Sequence, residues 1–291
     1  MFDLKSHVIA KSVDHAIALL VKDPDARLIA GGTDVLIRLR EGKKEFSRLV
    51  DIHGLEELKF IRKDKENNIQ IGSGVAFTDI IESKLINDHI PMLCEAAKSV
   101  GGPQIRNVAT IGGNVCNGVT SADSASSLFV LNAMMVIQGE KTIRQVPALK
   151  FYLGPGRVDL RKGEILTSIK ITRKNYQGVF GHYYKYAMRN SMDIATIGCA
   201  VGLKTCNRRV TDFKIAYGVA GPVPIRCLNT EKMVKNQPIS ERLLEKIAKT
   251  VERDVMPRTS WRASKEFRMN IINELSKRVT KEALKRAGEE L

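Results

Sequence analysis

The chain has 291 residues, 43% of them hydrophobic and 5% aromatic, with 47 Lys and Arg against 32 Asp and Glu for a net charge of +15. Such a length accommodates two domains with real cores, no apolar run approaches a membrane span, and the opening residues do not read as a signal peptide. Cys94, Cys116, Cys199, Cys206 and Cys227 lie scattered without a C-x-x-C pair, which excludes zinc or iron–sulfur ligand spacing and fits a reducing cytoplasm.

Residues Met1 to Ala10 mix Asp3, Lys5 and His7 with apolar side chains and read as folded chain. Ser12 is a helix N-cap ahead of the stripe Val13, Ala16, Ile17 and Leu20, and Pro24 stops that helix. Arg27 to Ala30 reads as a short buried strand, followed by Gly31-Gly32-Thr33-Asp34. Val35 to Arg40 then reads as helix, capped by Thr33 or Asp34 and ended by Gly42. A helix N-terminus reached through glycines suits an anion, because free N–H groups and the helix dipole face it. The same pattern also serves as a tight strand-to-helix turn. A Walker A loop is excluded, since Lys44 follows Gly42-Lys43 and Ile37 stands where its first glycine belongs. Gly72-Ser73-Gly74 begins a Rossmann fingerprint, but Phe77 occupies its third glycine position.

Leu49 to Ile52 reads as a strand with a turn at His53-Gly54, and Ile69 to Ile71 as another. Thr78 is expected to cap a helix through Ile81, and Pro91 to Val100 forms a further helix. The stretch from Gly101 to Ser124 gathers Gly101, Gly102, Gly112, Gly113 and Gly118 with Asn107, Thr110, Asn114, Asn117 and Thr120. Glycine at that density points to backbone lying unusually close to something. Successive amides there form a donor array suited to phosphate, and the hydroxyls and side-chain amides add neutral hydrogen bonds. A buried crossover of tight turns is the alternative.

Ala125 to Leu131 is apolar, Met134 to Ile137 is a buried strand, and Glu164 to Ile171 alternates as a strand does. Strands and helices without strict β-α-β alternation argue an α+β fold. The pattern loosens from Arg173 to Gly181, which places a domain boundary between residues 1–176 and 177–291. Beyond it, His182–Tyr186, Ala195–Leu203 and Phe213–Val219 predict a small antiparallel sheet. Ser240 caps a helix striped by Leu243, Leu244, Ile247 and Val251. Ser264 starts a last helix carrying Phe267, Ile271, Leu275, Val279 and Leu284.

His7, His15, His53, His89 and His182 have no partner motif and read as surface or capping residues. Asp123 in Ser121-Ala-Asp-Ser124 is the best-placed carboxylate and also suits an N-cap. No nucleophile elbow or two-carboxylate site is present, and no catalytic or metal-ligating side chain is assigned. Two Gly-Gly loops beside hydroxyls can hold a diphosphate between them, which makes a nucleotide cofactor the economical ligand. Where side chains offer no chemistry, the cofactor carries the reaction. The charge of +15 suits nucleic acid or an acidic partner. Lysines and arginines are nevertheless spread along the chain without basic–aromatic interleaving, so neither nucleic acid nor membrane is expected as a partner.

The residues Ala30-Gly-Gly-Thr-Asp34, Gly102-Pro-Gln-Ile-Arg-Asn-Val-Ala-Thr-Ile-Gly-Gly-Asn114 and Thr120-Ser-Ala-Asp-Ser124 carry a family likeness. Tyr184-Lys-Tyr-Ala-Met-Arg189 and Ser260-Trp-Arg-Ala-Ser-Lys-Glu-Phe-Arg268 extend it over essentially the whole chain. The chain resembles the FAD-binding subunits of bacterial xanthine dehydrogenases, in the molybdenum hydroxylase flavoprotein family. The resemblance implies a two-lobed α+β FAD domain of the vanillyl-alcohol-oxidase type, then a smaller α+β domain with a three-stranded antiparallel sheet. It implies that Arg27, Leu28, Ile29, Ala30, Gly31, Gly32, Thr33 and Asp34, with Ala109, Thr110, Ile111, Gly112 and Gly113, wrap the FAD diphosphate, mostly through backbone N–H groups. Ile165 is expected at the flavin end, Val100 at the ring edge, Tyr184 near the isoalloxazine with Lys185 beside it, and Asp123 on polar FAD atoms. Relatives often carry phenylalanine where Tyr184 stands; tyrosine keeps the ring and adds a hydroxyl.

In such complexes, electrons released at a molybdenum cofactor pass through 2Fe–2S clusters on a separate subunit to FAD, which reduces NAD. The resemblance therefore implies a heterotrimer with a molybdenum subunit and a 2Fe–2S subunit, itself dimerised, oxidising hypoxanthine and xanthine in the cytoplasm. The lack of an inserted cysteine-rich loop argues against the 4-hydroxybenzoyl-CoA reductase branch. Rival readings are the flavin subunit of a carbon monoxide, nicotinate or aldehyde hydroxylase, a non-redox basic binding module, or a structural bridge that has lost FAD.

Overall fold

The computed structural model describes residues 3–291; Met1 and Phe2, part of the stretch read above as folded, lie outside the described residues. The chain opens with β1 (Ser6–Ile9), α1 (Val13–Lys22), β2 (Arg27–Ile29), α2 (Val35–Arg40) and β3 (Arg48–Asp51). β3 lies between β1 and β2 and runs parallel to both. The Ser12 side chain accepts from the His15 amide, so α1 starts where its cap dictates. Val13, Ala16, Ile17 and Leu20 are buried against Val50 and Ile52. β1 was not foreseen, because all of its residues are exposed and no alternation marks them.

The second lobe contains β4 (Ile61–Lys63), β5 (Ile69–Gly72), α3 (Phe77–Glu82), α4 (Lys84–His89), α5 (Pro91–Lys98), α6 (Pro103–Arg106), α7 (Ile111–Cys116) and α8 (Asp123–Val130). It continues through β6 (Met134–Gln138), β7 (Ile143–Pro147), α9 (Ala148–Phe151), β8 (Tyr152–Gly154), β9 (Arg157–Val158) and β10 (Ile165–Ile171). Its five-stranded antiparallel sheet has the order β4-β5-β10-β6-β7. Ile71, Ile137 and Ile169 from that sheet share a core with Phe77, Leu93 and Leu128 from the helices. α3 begins ahead of Thr78, contrary to expectation. Ala76 is the N-cap residue and its amide donates to the Asp79 carboxylate at 3.2 Å. The Thr78 hydroxyl instead donates to Asn107 at 2.7 Å.

α10 (Arg173–Tyr176) occupies the stretch whose pattern loosens. After it come β11 (Phe180–Tyr186), β12 (Ile197–Cys206), β13 (Arg209–Gly218), β14 (Ile225–Arg226), α11 (Leu228–Val234), α12 (Glu241–Val251) and α13 (Lys265–Arg286). The three long strands form the expected antiparallel sheet, and the two-residue β14 adds a fourth at its edge. Both faces of this sheet are covered. Tyr183, Ala200 and Ala216 pack into the core of the second lobe, whereas Cys199, Val201, Ile215 and Tyr217 pack into the core built with α12 and α13. β12 is therefore buried from Ile197 to Leu203 and reads as a continuous apolar run. Ser240 and Ser264 accept from the amides of Leu243 and Phe267, as their caps predict. On α13 the buried face passes through Ile272, Leu275, Val279 and Leu284, leaving Ile271 at its margin and Phe267 exposed. Arg286 of α13 pairs with Glu95 of α5 at 2.6 Å and Lys185 of β11 with Asp123 of α8 at 2.8 Å, tying this last unit to the helices before it.

Candidate functional site

Both Gly-Gly loops open onto one cleft of about 860 Å³, toward the upper end of the range for small-molecule sites. Its walls come from the β2–α2 turn, the start of α7, and the segment leading from β9 into β10. The turn and the α7 loop touch directly: a Cβ on Gly31 would drive into the Val108 carbonyl oxygen, so only glycine permits this approach. A Cβ on Gly112 would likewise meet the backbone of Ser73. Gly32 has φ +72°, a left-handed conformation that glycine adopts without strain. Gly113 differs from these. A Cβ there would meet only the Thr110 hydroxyl, at 3.1 Å, so its missing side chain leaves room on the cleft side.

The backbone donors divide unequally between the loops. Among the described residues, the amides of Gly31, Gly32, Thr33 and Asp34 donate to no protein acceptor. The amides of Ile111, Gly112 and Gly113 are already taken by Val75 O, Ser73 O and Thr110 Oγ1, at 3.0, 2.9 and 3.0 Å. The first loop is therefore the donor array, and the second is a close-fitting wall. Ser73 adds a buried hydroxyl on the cleft wall whose Oγ has no hydrogen-bond partner. Arg38 donates to Asn117 Oδ1 at 2.6 Å across the cleft, and Arg157, Arg161 and Lys162 bring further positive charge to its rim. Free amides, an orphaned hydroxyl, a gap the size of a side chain and surplus cations fit a diphosphate joining two ring systems.

Arg144 anchors the last wall, pairing with Asp159 at 2.8 Å and Glu164 at 2.7 Å. Hydrogen bonds from Arg144 hold Glu164 below the ordinary carboxylate range. Ile165, the next residue, lines the cleft with Val100. Cys116 also lines it, its thiol pushed up to about 12 by burial and hence inert.

Of the expected contacts, Arg27, Leu28, Ala30, Gly31, Gly32, Thr33, Asp34, Val100, Ala109, Thr110, Gly112, Gly113 and Ile165 all line the cleft. Ile29 and Ile111 are buried behind it in the hydrophobic packing. Asp123, Tyr184 and Lys185 are not on its wall. Asp123 accepts from Lys185 Nζ at 2.8 Å and from the Tyr183 hydroxyl at 3.0 Å, all within the protein. Burial raises the Asp123 pKa despite this pairing and pushes the Tyr183 hydroxyl well above its usual value. Lys185 also donates to Ser99 O at 2.9 Å, directly before Val100, so the pair abuts the cleft from behind. Strand alternation turns Tyr184 to the opposite side from Tyr183 and Lys185, where it is 48% exposed. Ser73, Arg38 and the 157–164 segment were missed. The glycines flanking Ser73 were the available signal, noted only for failing a Rossmann pattern.

A two-lobed α+β unit with a glycine-walled, cation-rimmed cleft and an appended antiparallel domain has the architecture of a dinucleotide-binding subunit. Residues 2–173 match the FAD binding domain in molybdopterin dehydrogenase, and residues 182–283 match the CO dehydrogenase flavoprotein C-terminal domain. The chain belongs to the FAD-binding subunits of the molybdenum hydroxylases, which are oxidoreductases. It is 45% identical over 291 residues, the whole of both chains, to the xanthine dehydrogenase FAD-binding subunit of Escherichia coli O157:H7. To the glyceraldehyde dehydrogenase medium chain of Sulfolobus acidocaldarius it is 29% identical over 278 residues, covering 95% of this chain and 97% of that one. The solved carbon monoxide dehydrogenase of Hydrogenophaga pseudoflava superposes with a TM-score of 0.93 at 27% identity, covering 98% of this chain and 99% of that one.

Proposed function

We propose that this chain is the FAD-binding electron-transfer subunit of a xanthine dehydrogenase complex. It accepts electrons from a 2Fe–2S subunit and delivers them to NAD while a molybdenum subunit oxidises hypoxanthine or xanthine. The observation carrying the FAD site is the run of undonated amides from Gly31 to Asp34 in the cleft that Gly113 also lines. These amides bind the diphosphate, Thr110 and Ser73 offer hydroxyls, and the Arg38–Asn117 bridge closes the site around it. Val100 and Ile165 form the apolar end for the flavin ring, and the Lys185–Asp123 pair fixes the Ser99–Val100 segment from behind. FAD, when bound, supplies the two-electron chemistry; the chain positions it and excludes water.

A relative of the same length and 45% identity carries the xanthine dehydrogenase name, whereas the glyceraldehyde dehydrogenase chain is 29% identical, which favours purine oxidation over a sister hydroxylase. We place the boundary between FAD domain and C-terminal domain at residues 176 and 177, where α10 ends. No helix among the described residues is long and apolar enough to cross a membrane, in keeping with assembly in the cytoplasm. The test is the visible spectrum of the purified chain with its released chromophore identified. FAD near one per chain, bleached by NADH, is expected. A chain that remains colourless after incubation with FAD overturns the reading.

A further inference from the structure

The motif Ser260 to Arg268 takes no part in the cleft, yet it carries two unusual features. The first is a buried cation without an anion. Arg268 is 2% exposed, donating to Thr196 O at 2.6 Å and to Ser260 Oγ at 2.9 Å. Among the described residues, neither it nor its neighbours Arg258 and Arg262 forms an ion pair. Burial and these two cations together lower the Arg268 pKa. Three buried polar atoms in this one place, Arg262 Nε, Arg268 Nε and Thr196 Oγ1, have no hydrogen-bond partner. Such groups are rare in folded proteins, and an unpaired buried charge is costly.

The second feature is an apolar surface over the same spot. Trp261 is 79% exposed with the Arg262 guanidinium 4.1 Å from its ring centroid. Phe267, also exposed, lies 6.0 Å from the Tyr186 ring. The loop between Tyr186 and Thr196, anchored here by Phe267 beside Tyr186 and by Arg268 on Thr196 O, exposes Ile194, Met192 and Met188. Met192 donates its amide to Gly101 O at 3.2 Å, and its sulfur approaches Gly102. This brings the Met192 side of the patch next to Val100, a residue of the cleft wall. Solvent-exposed Trp, Phe and Met backed by arginines is the composition of a protein-binding surface.

We propose that the Trp261 face, with the Arg258, Arg262 and Arg268 cluster behind it, docks an acidic, apolar-flanked segment of the electron-donating partner chain. A carboxylate entering beside Trp261 supplies the acceptor that the arginines lack, and flanking apolar side chains cover Trp261 and Phe267. Charge complementarity selects an acidic segment. Position selects the electron donor, because the loop beside this face reaches Gly101 through Met192, one residue from Val100 of the cleft wall, and electron transfer requires close approach. The inference rests on the reading of this chain as the flavin subunit of such a complex.

The test titrates the purified full chain with the 2Fe–2S chain and, separately, with the molybdenum chain, by calorimetry. Trp261→Ala is expected to weaken binding of the 2Fe–2S chain by about 30-fold, a central hot spot. Arg262→Glu is expected to weaken it at least tenfold, whereas Lys141→Glu, an exposed charge reversal on the β6–β7 hairpin, leaves it unchanged. FAD content and melting temperature are measured on every variant. Unchanged affinity in both patch variants overturns the docking inference, as does an equal loss in Lys141→Glu. So does a loss confined to the molybdenum chain or to self-association. A wild-type chain that holds no FAD overturns the flavin-subunit reading instead, and the same titrations still report on the patch.

Discussion

Gly113→Val tests the cleft more sharply than any other single change. A Cβ at this position meets only Thr110 Oγ1 at 3.1 Å, so the fold has room for a side chain if the hydroxyl yields by a few tenths of an ångström. Its φ lies outside the left-handed region and valine is slightly the better helix former, but the yielding hydroxyl also caps α7 through the Gly113 amide, so apo stability should fall by about 1 kcal/mol at most. The two methyl groups instead project into the space assigned to the diphosphate. Overfilling a close-packed site costs roughly 1–3 kcal/mol, which corresponds to an affinity loss of about 5- to 140-fold. The assays are the flavin-to-protein absorbance ratio after gel filtration and the rise in melting temperature on adding FAD. Each tenfold loss of affinity removes about 1.4 kcal/mol of ligand stabilisation at fixed FAD. The variant should emerge largely colourless with an apo melting temperature lowered only slightly, and Gly113→Ala should fall between it and wild type. A Gly113→Val chain that keeps one FAD and a wild-type affinity refutes the assignment of this loop.

Gly31→Ala should behave differently. Its methyl group collides with the Val108 carbonyl, and the overlap is with backbone, so a loss of about 3 kcal/mol or more is expected as a lower apo melting temperature or insolubility. Lys185→Met strands the buried Asp123 carboxylate, and breaking such a pair costs about 3–5 kcal/mol. That deficit should shrink as pH falls, because protonated Asp123 no longer needs a cation; a deficit independent of pH in thermal melts counts against the pairing. Glu95 is held below its ordinary pKa of 4.5: burial opposes this, but hydrogen bonds from His182, Arg286 and the Tyr183 amide prevail. Its contribution is therefore present above about pH 4.5 and lost as pH falls through its lower folded value. Melting temperatures of Glu95→Gln should accordingly converge on wild type below pH 4.5, and parallel curves would show that Glu95 is not the linked group.

How much could be read in advance follows the range of the interactions involved. The caps Ser12, Ser240 and Ser264 act within three residues, and each was legible because its helix start is a local event. Thr78 misled because the start of α3 depends on the Asp79 carboxylate reaching back to Ala76, while Thr78 is drawn to the distant Asn107. β1 could not be seen because its exposed residues carry no periodicity, and its pairing partner is β3, 42 residues onward in the ladder from Ser6 with Arg48.

The sequence by itself made glycine-rich backbone the expected binding surface, since no arrangement of its histidines, cysteines or carboxylates offers another chemistry. Its glycine spacing, together with the family likeness, was enough to point to a diphosphate and to FAD. Which loop donates was decided only by tertiary structure. The amides of Ile111, Gly112 and Gly113 look as free as those of Gly31 to Asp34 until Val75, Ser73 and Thr110 arrive to accept them. Asp123 likewise looks available until β11 delivers Lys185 and Tyr183 to it. A hydrogen-bonding group is free or spent according to what the chain brings beside it, and apart from Thr110, a local cap, those partners lie tens of residues away.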